Sequence, residues 1–411
     1  MFKAPKSLRL HIGIFGRRNA GKSSVLNALV RQDVSIVSNI PGTTTDPVEK
    51  IMELKPIGPV VFIDTAGIDD TGELGQSRIK KTKQVIDRTE LAVLVTDDWQ
   101  SLEAELLKLF QKNHIPVVVA ANKSDIRKDN KLETAALDAG CKFVVTTSIV
   151  TKEGIEMLRA TLAQATPKEF LTTPPVLGDL IKPDSLVVLV IPIDIEAPSG
   201  RMLLPQVQAL RDTLDNDAYC LTVKEHQLAN ALAILKKPPV LVVTDSQAFE
   251  KVSKIVPDDV PLTSFSILFA RLKGDLAELV KGVKVIKLLK EGDRVLIAEA
   301  CSHHPLQDDI GRTKIPRWLQ EYTGVKLKID VVAGRDFPDD LTPYKLIISC
   351  GACMFNRQEM LSRIEKAKKA KVPITNYGMV ISYIHGIFDR AMRPFAETDI
   401  GPMSVFEELL P

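Results

Sequence analysis

Residues Gly16-Arg17-Arg18-Asn19-Ala20-Gly21-Lys22-Ser23 fit the spacing G-x-x-x-x-G-K-S/T, which serves the binding of phosphate. In such a loop the backbone N–H groups and the N-terminus of the helix opened by Ser24 face phosphate oxygens. Lys22 adds a point charge, and the Ser23 hydroxyl ligates Mg2+. Three further groups lie downstream. Asp64-Thr65-Ala66-Gly67 offers a carboxylate for a Mg2+-bound water and a glycine, Gly67, that lets the backbone approach a γ-phosphate. Pro41-Gly42-Thr43-Thr44-Thr45-Asp46 is rich in hydroxyls, as a loop completing the Mg2+ shell requires. Asn122-Lys123-Ser124-Asp125 is suited to reading guanine: a carboxylate at Asp125 accepts from N1–H and the exocyclic amine, and adenine would leave it unpaired, a discrimination of roughly 10⁴ or more. Each fragment alone is an ordinary turn, strand end or loop. Four in this order, each behind an apolar strand, point to GTP and GDP with Mg2+.

These groups need strands to carry them. Leu8 to Phe15, Val60 to Ile63 and Val117 to Ala121 read as buried strands and Ser24 to Val30 as a helix. From Thr166 to Pro183 the chain carries Pro167, Pro174, Pro175, Gly178 and Pro183, which predicts a linker and a boundary near residue 170. Behind it, strands at 186–193, 219–223, 239–243 and 261–265 alternate with helices at 203–214, 227–235 and 246–255, the pattern of a parallel sheet. His226, Cys220 and Asp245 are scattered there and form no catalytic set, so this domain is expected to be a platform for homodimerisation. A helix is expected over Arg271 to Leu289. The next strand, Arg294 to Ala300, ends on Cys301-Ser302-His303-His304. After a helix at Pro316 to Tyr322, the strand Lys345 to Ile348 ends on Ser349-Cys350-Gly351-Ala352-Cys353, before the helix Gln358 to Ala370. The expected fold class is α/β: a P-loop GTPase domain over 1–170, then two further α/β domains with mainly parallel sheets over 171–266 and 267–411.

Two strand ends in one parallel sheet would bring Cys301 beside Cys350 and Cys353, at the carboxyl edge where open α/β sheets place ligands. A redox dithiol at Cys350 and Cys353 gives Cys301 no role. Zinc would be satisfied by Cys301, Cys350, Cys353 and His303. An iron–sulfur cluster fits the same thiolates. The pattern alone leaves these open.

Composition bounds the partners. A net charge of +2, from 54 basic and 52 acidic residues among 411, makes no electrostatic case for nucleic acid as the main partner. Aromatic residues at 5% offer few stacking platforms, and the basic run Arg363 to Lys371 reads as a solvated helix face. No stretch is apolar for long enough to span a bilayer, and five cysteines without an export signal argue against a disulfide framework, so a cytoplasmic protein is expected.

Gly16 to about Thr151 resembles the translation-factor-related GTPases of the Era and tRNA-modification type, on Asn-x-Gly-Lys-Ser in the P-loop and on Pro-Gly-Thr-Thr in the switch loop. That resemblance implies that Thr44 ligates Mg2+ and that Asn19 helps hold a K+ ion acting where other systems use an arginine finger. It makes Asn19, Lys22, Thr44 and Gly67 the catalytic set. Ile68 stands where many GTPases carry a water-orienting Gln, so hydrolysis is expected to be slow and ion-assisted. Thr147-Ser148-Ile149 stands where Ser-Ala is usual, with Ser148 at the guanine contact.

Over essentially its whole length the chain resembles the HydF family of [FeFe]-hydrogenase maturation GTPases, whose pattern is Cys-x-His followed by His-Cys-x-x-Cys. Cys301, His303, Cys350 and Cys353 match it; Ser349 stands where the second His is common. Asn376-Tyr377-Gly378 to Phe388 is similar to that family's C-terminus. The resemblance implies that the three cysteines hold a [4Fe-4S] cluster whose fourth iron position is exchangeable, with His303, Asp308, Asp309 or water as its occupant. It further implies delivery of a diiron precursor to apo-[FeFe]-hydrogenase, radical-SAM maturases as partners and a homodimer or higher homo-oligomer, while charge balance and hydropathy give the expectation of neither nucleic acid nor membrane as partner. The competing expectation is a regulatory GTPase of tRNA modification or ribosome assembly with a zinc-stabilised C-terminal domain.

Overall fold

The computed structural model describes residues 5–30, 47–65, 81–127, 129–171, 174–193, 202–300 and 309–396, and the chain divides into two units, Met1–Thr173 and Pro174–Pro411. In the first unit every residue of β1 (Leu10–Phe15) is buried, as a strand covered on both faces must be. β1 lies between β3 (Gly58–Asp64) and β4 (Leu91–Thr96), parallel to both. β5 (Val117–Ala121) and β6 (Phe143–Thr146) continue the parallel sheet, and β2 (Val48–Leu54) closes the other edge antiparallel to β3, giving the order β2-β3-β1-β4-β5-β6. Successive side chains point to opposite faces and divide the core accordingly. Leu10, Ile12 and Ile14 share one cluster with Val25, Leu29, Leu158 and Leu162, while Phe15, Val61 and Ile63 share the other with Leu106 and Phe110. Helices therefore cover both faces, and the carboxyl ends of β1, β3, β5 and β6 lead into Gly16, Thr65, Asn122 and Thr147 along one edge.

The second unit holds two four-stranded sheets. The first joins β7 (Leu186–Val190), β8 (Tyr219–Val223), β9 (Leu241–Thr244) and β10 (Leu262–Ser264) in the order β10-β9-β7-β8, and all its pairs are parallel. The second joins β11 (Arg294–Ala298), β12 (Lys328–Val332), β13 (Leu346–Ser349) and β14 (Ile374–Asn376) in the order β12-β11-β13-β14, again parallel throughout. One apolar cluster runs through both sheets, from Val187 and Val243 through Phe265 and Phe269 to Ile297, Ile348 and Phe395. The expected α/β class with a P-loop domain and two further parallel sheets is the observed one.

Several local expectations are corrected. Arg271 to Leu289 is not one helix. The helix Phe265–Lys273 stops at Gly274, and Asp275 caps a new helix, Leu276–Lys284, by accepting from the Glu278 N–H at 3.1 Å. The stretch 166–183 is more than a spacer: it holds the helical turn Lys168–Leu171, and Leu177 is fully buried, with the N–H groups of Leu177 and Gly178 on the Asp212 carboxylate at 2.8 and 2.7 Å. Arg363, expected on a solvated face, is 5% exposed, its guanidinium 4.4 Å from the Phe355 ring centre and 4.8 Å from that of Phe337. Among the described residues no helix is long and apolar enough to cross a membrane.

Candidate functional site

The P-loop follows β1 directly, and sterics dictate its glycines. Gly16 has φ +142°, and a Cβ there would lie 2.0 Å from the Val95 carbonyl oxygen; Gly21 has φ +96°, and a Cβ would lie 2.3 Å from Asn122 Nδ2. Asn19 takes the left-handed region at φ +62° with an exposed side chain, and Ala20 is buried beside it. Lys22 begins the helix Lys22–Val30; its ammonium lies across the loop and donates to the carbonyls of Gly16 at 3.0 Å and Arg17 at 2.7 Å. Ser23 Oγ donates to Asp64 Oδ2 at 2.6 Å, which unites two candidate Mg2+ groups. Burial raises the Asp64 carboxyl against the pull of Ser23 and Lys22, and its buried Oδ1 has no hydrogen-bond partner. A hard cation satisfies such an oxygen, so the donor set fits Mg2+. Thr44, Gly67 and Ile68 lie outside the described residues. Arg18 and Ser24 are exposed on the loop and the first helical turn.

Arg17 is placed by its backbone, while its side chain turns elsewhere. Nε and Nη2 each lie 2.8 Å from the Glu103 carboxylate, a bidentate pair, and Nη1 reaches Gln100 Oε1 at 2.6 Å. Glu103 is fully buried and also accepts the Gln100 N–H at 3.1 Å, so the loop is tied to the start of the helix Ser101–Lys112. Glu103 escaped sequence reasoning because it belongs to no motif; its distance along the chain from Arg17 left no local signal.

The segment expected to read guanine is built around Asn122, which is 2% exposed. Its Nδ2 donates to the Ala20 carbonyl at 2.9 Å, and its Oδ1 accepts from Thr147 Oγ1 at 3.2 Å, joining P-loop, β5 end and β6 end. Lys123, at φ +59°, pairs with Asp97 at 2.5 Å. Ser148, fully buried, donates from Oγ to Asp125 Oδ1 at 2.6 Å. The departure at Thr147-Ser148-Ile149 thus keeps a side-chain hydroxyl on the carboxylate that would face the base.

At the second sheet β11 and β13 are neighbours, with Ala298 opposite Ser349. Their ends meet as sequence spacing suggests: the Ala300 N–H points at Cys350 Sγ at 3.0 Å, and the Cys350 N–H donates to the Ala298 carbonyl at 3.2 Å. Burial pushes the Cys350 thiol up, while the N–H groups of Ala352 and Ala300 pull the other way. Donors converging on a desolvated sulfur suit a metal-bound thiolate. Cys301 and His303 lie outside the described residues, as does Asp308. Among the described residues no group of three His, Cys, Asp or Glu could hold a metal. Ser349, 1% exposed, has a buried Oγ with no hydrogen-bond partner, at the position beside Cys350. Asp309 is buried and its carboxylate accepts the Arg312 N–H at 2.9 Å, capping the turn Ile310–Lys314. Lys273, which no motif marks, donates from its ammonium to the carbonyls of Ala352 and Cys353 in the C-x-x-C turn.

Three family models match the chain: a 50S ribosome-binding GTPase over residues 11–123, the hydrogen maturase F dimerization domain over 176–274 and the hydrogen maturase F tetramerization domain over 277–394. The tRNA modification GTPases MnmE of Bacillus licheniformis and Bacillus subtilis are each 37% identical over 147 residues, 35% of this chain and 32% of theirs. The chain thus spans about a third of the length of these curated relatives. Among solved structures, the G domain of the Thermotoga maritima FeoB iron transporter is 24% identical, covering 38% of this chain and 98% of that one, with a TM-score of 0.30. Aquifex aeolicus Era bound to GDP·AlF4− is 20% identical, covering 52% and 92%, with a TM-score of 0.32. The family models thus set a GTPase domain ahead of two domains of homo-oligomerisation.

Proposed function

This chain belongs to the hydrogen maturase F family, and from that premise we propose that it is a GTP-hydrolysing scaffold that binds a [4Fe-4S] cluster, assembles a diiron precursor there and transfers it to apo-[FeFe]-hydrogenase. The observation that carries the reading is the Ala300 N–H on Cys350 Sγ, which sets the residue before Cys301 against the C-x-x-C pair. Cys301, Cys350 and Cys353 supply thiolates, and His303 is the candidate for the fourth, exchangeable position; Ser349 stands where the family commonly has its second His. When bound, the cluster supplies an iron site open to exogenous ligands. In the first unit Gly16 to Ser24 hold the phosphates, Lys22 offsets their charge, and Ser23, Thr44 and Asp64 hold Mg2+. Asn19 holds K+ in place of an arginine finger, and Asn122, Lys123, Asp125 and Ser148 hold guanine. Residues 171–266 dimerise, residues 267–411 carry the cluster, and radical-SAM maturases and the hydrogenase are the cytoplasmic partners.

Anaerobic reconstitution with iron and sulfide, metal analysis and EPR of the reduced protein test this. Replacing Cys301, Cys350 or Cys353 by Ser should strip most of the iron, whereas His303→Ala should keep it and change the EPR line shape. A colourless protein holding one zinc per chain, with affinity lost on removal of His303, overturns the reading in favour of a regulatory GTPase of tRNA or ribosome.

A further inference from the structure

Lysine is rarely buried without strong reason, because its ammonium must keep its hydrogen bonds. Lys273 is 4% exposed, on the last turn of the helix Phe265–Lys273. Its Nζ donates to the carbonyls of Ala352 at 3.1 Å, Cys353 at 3.2 Å and Phe355 at 2.7 Å. Three donors meet three acceptors, all from the turn that begins at Cys350.

That turn needs holding. Ala352 sits in the left-handed region at φ +51°, unfavourable for a residue with a Cβ, and a non-glycine there persists when surrounding contacts over-determine it. In a trans peptide the carbonyl and the following N–H point opposite ways, so carbonyls drawn to Lys273 turn the amides of Cys353 and Met354 away from it. Left-handed backbone with amides on the outer side is the geometry of an anion-facing nest. Arg363 adds a second buried cation against Phe355, whose carbonyl Lys273 already holds.

We propose that Lys273 is the positioning residue of the thiol site: its ammonium fixes the turn that presents Cys350 and Cys353, and its charge offsets the anionic, thiolate-bound guest. The second half rests on the cluster reading above; the first does not. Its charge lies beneath the turn and shifts the electron affinity of whatever the thiolates bind, which a purely structural strut would leave alone.

The test compares full-length wild type, Lys273→Met and Lys273→Arg. In metal-free protein, the rate at which iodoacetamide alkylates Cys350 and Cys353 is read by peptide mass spectrometry. After anaerobic reconstitution, iron per chain and the midpoint potential are read by metal analysis and EPR-monitored titration. The Met variant should alkylate severalfold faster, lose most of its iron and reduce at a more negative potential, while the Arg variant keeps a potential near wild type. Wild-type alkylation and wild-type potential in Lys273→Met overturn the proposal. Ala352→Gly added to Lys273→Met relieves the left-handed strain; recovery of both iron and potential in that double variant overturns the role of charge. If wild type itself takes up no iron, the cluster reading falls, and the alkylation comparison still decides whether Lys273 fixes the turn. Where Lys273→Met does not fold, Lys273→Gln, with two donors and no charge, takes its place.

Discussion

Replacing Asp125 by Asn should turn a guanine site into a xanthine site. The Asp125 carboxylate is held by Ser148 Oγ at 2.6 Å, and Ser148 is fully buried. A hydroxyl rotates, so it can donate to the oxygen of an amide as it does to a carboxylate, and the substitution leaves the local framework in place. What changes is the edge offered to the base. Two hydrogen bonds from N1–H and the exocyclic amine to a charged acceptor contribute about 1.5–3 kcal/mol each. Their joint loss, about 3–6 kcal/mol, lowers GTP affinity roughly 10²- to 10⁴-fold. Xanthine carries a carbonyl in place of the amine and accepts from the new amide, so xanthosine triphosphate should recover most of the loss. Competition of GTP, xanthosine triphosphate and ATP against a fluorescent GDP measures all three affinities. An Asp125→Asn protein that still prefers GTP to xanthosine triphosphate refutes the role of this carboxylate, and equal competition by ATP in the wild type refutes the base assignment itself.

Lys22→Ala should abolish GTP turnover and leave reconstituted iron unchanged, since Lys22 and the thiols lie in different units; loss of both in metal and phosphate-release assays would show the sites inseparable. Hydrolysis should run faster in KCl than in NaCl at equal ionic strength, with the difference shrinking in Asn19→Ala, and equal rates in both salts would remove the ion-finger role. Burial alone would raise the Glu49 carboxyl, but Arg88 and Lys6 hold it at about 2 against an ordinary 4.5. Its folded value being the lower one, its contribution is complete above the unfolded value and is lost as pH falls from 4.5 towards 2. Glu49→Gln should therefore cost about 3 kcal/mol at pH 7 and much less near pH 3, read from urea melts at both.

Fold class was legible because the strands are apolar runs of buried residues between turn residues, as at Leu10–Phe15 and Val117–Ala121. The break at Gly274 was hidden, since Leu272, Leu276, Leu279, Val280 and Val283 keep an apolar spacing across it, while what ends the helix is one cap on Asp275. β14, three residues long, is below the length at which any period shows, and β2 alternates only weakly at a polar edge. The P-loop is readable for a steric reason: only glycine fits beneath Val95 and Asn122. The direction of the Arg17 side chain and the place of Lys273 were not readable, because each depends on a partner 79 or more residues away.

The apolar core shared by the two sheets of the second unit has a thermodynamic consequence. Residues that melt together share their ligands' stabilisation, and a guest bound with concentration far above its Kd adds about 1.4 kcal/mol for each further tenfold. A guest at the edge of β11 and β13 therefore steadies β7 to β10 as well, though it touches none of them. Chains loaded at the thiols would outlast empty ones against proteolysis of the whole unit. Occupancy of the thiols would then be written into the lifetime of the oligomerisation domains, a selection among copies that requires no dedicated sensor.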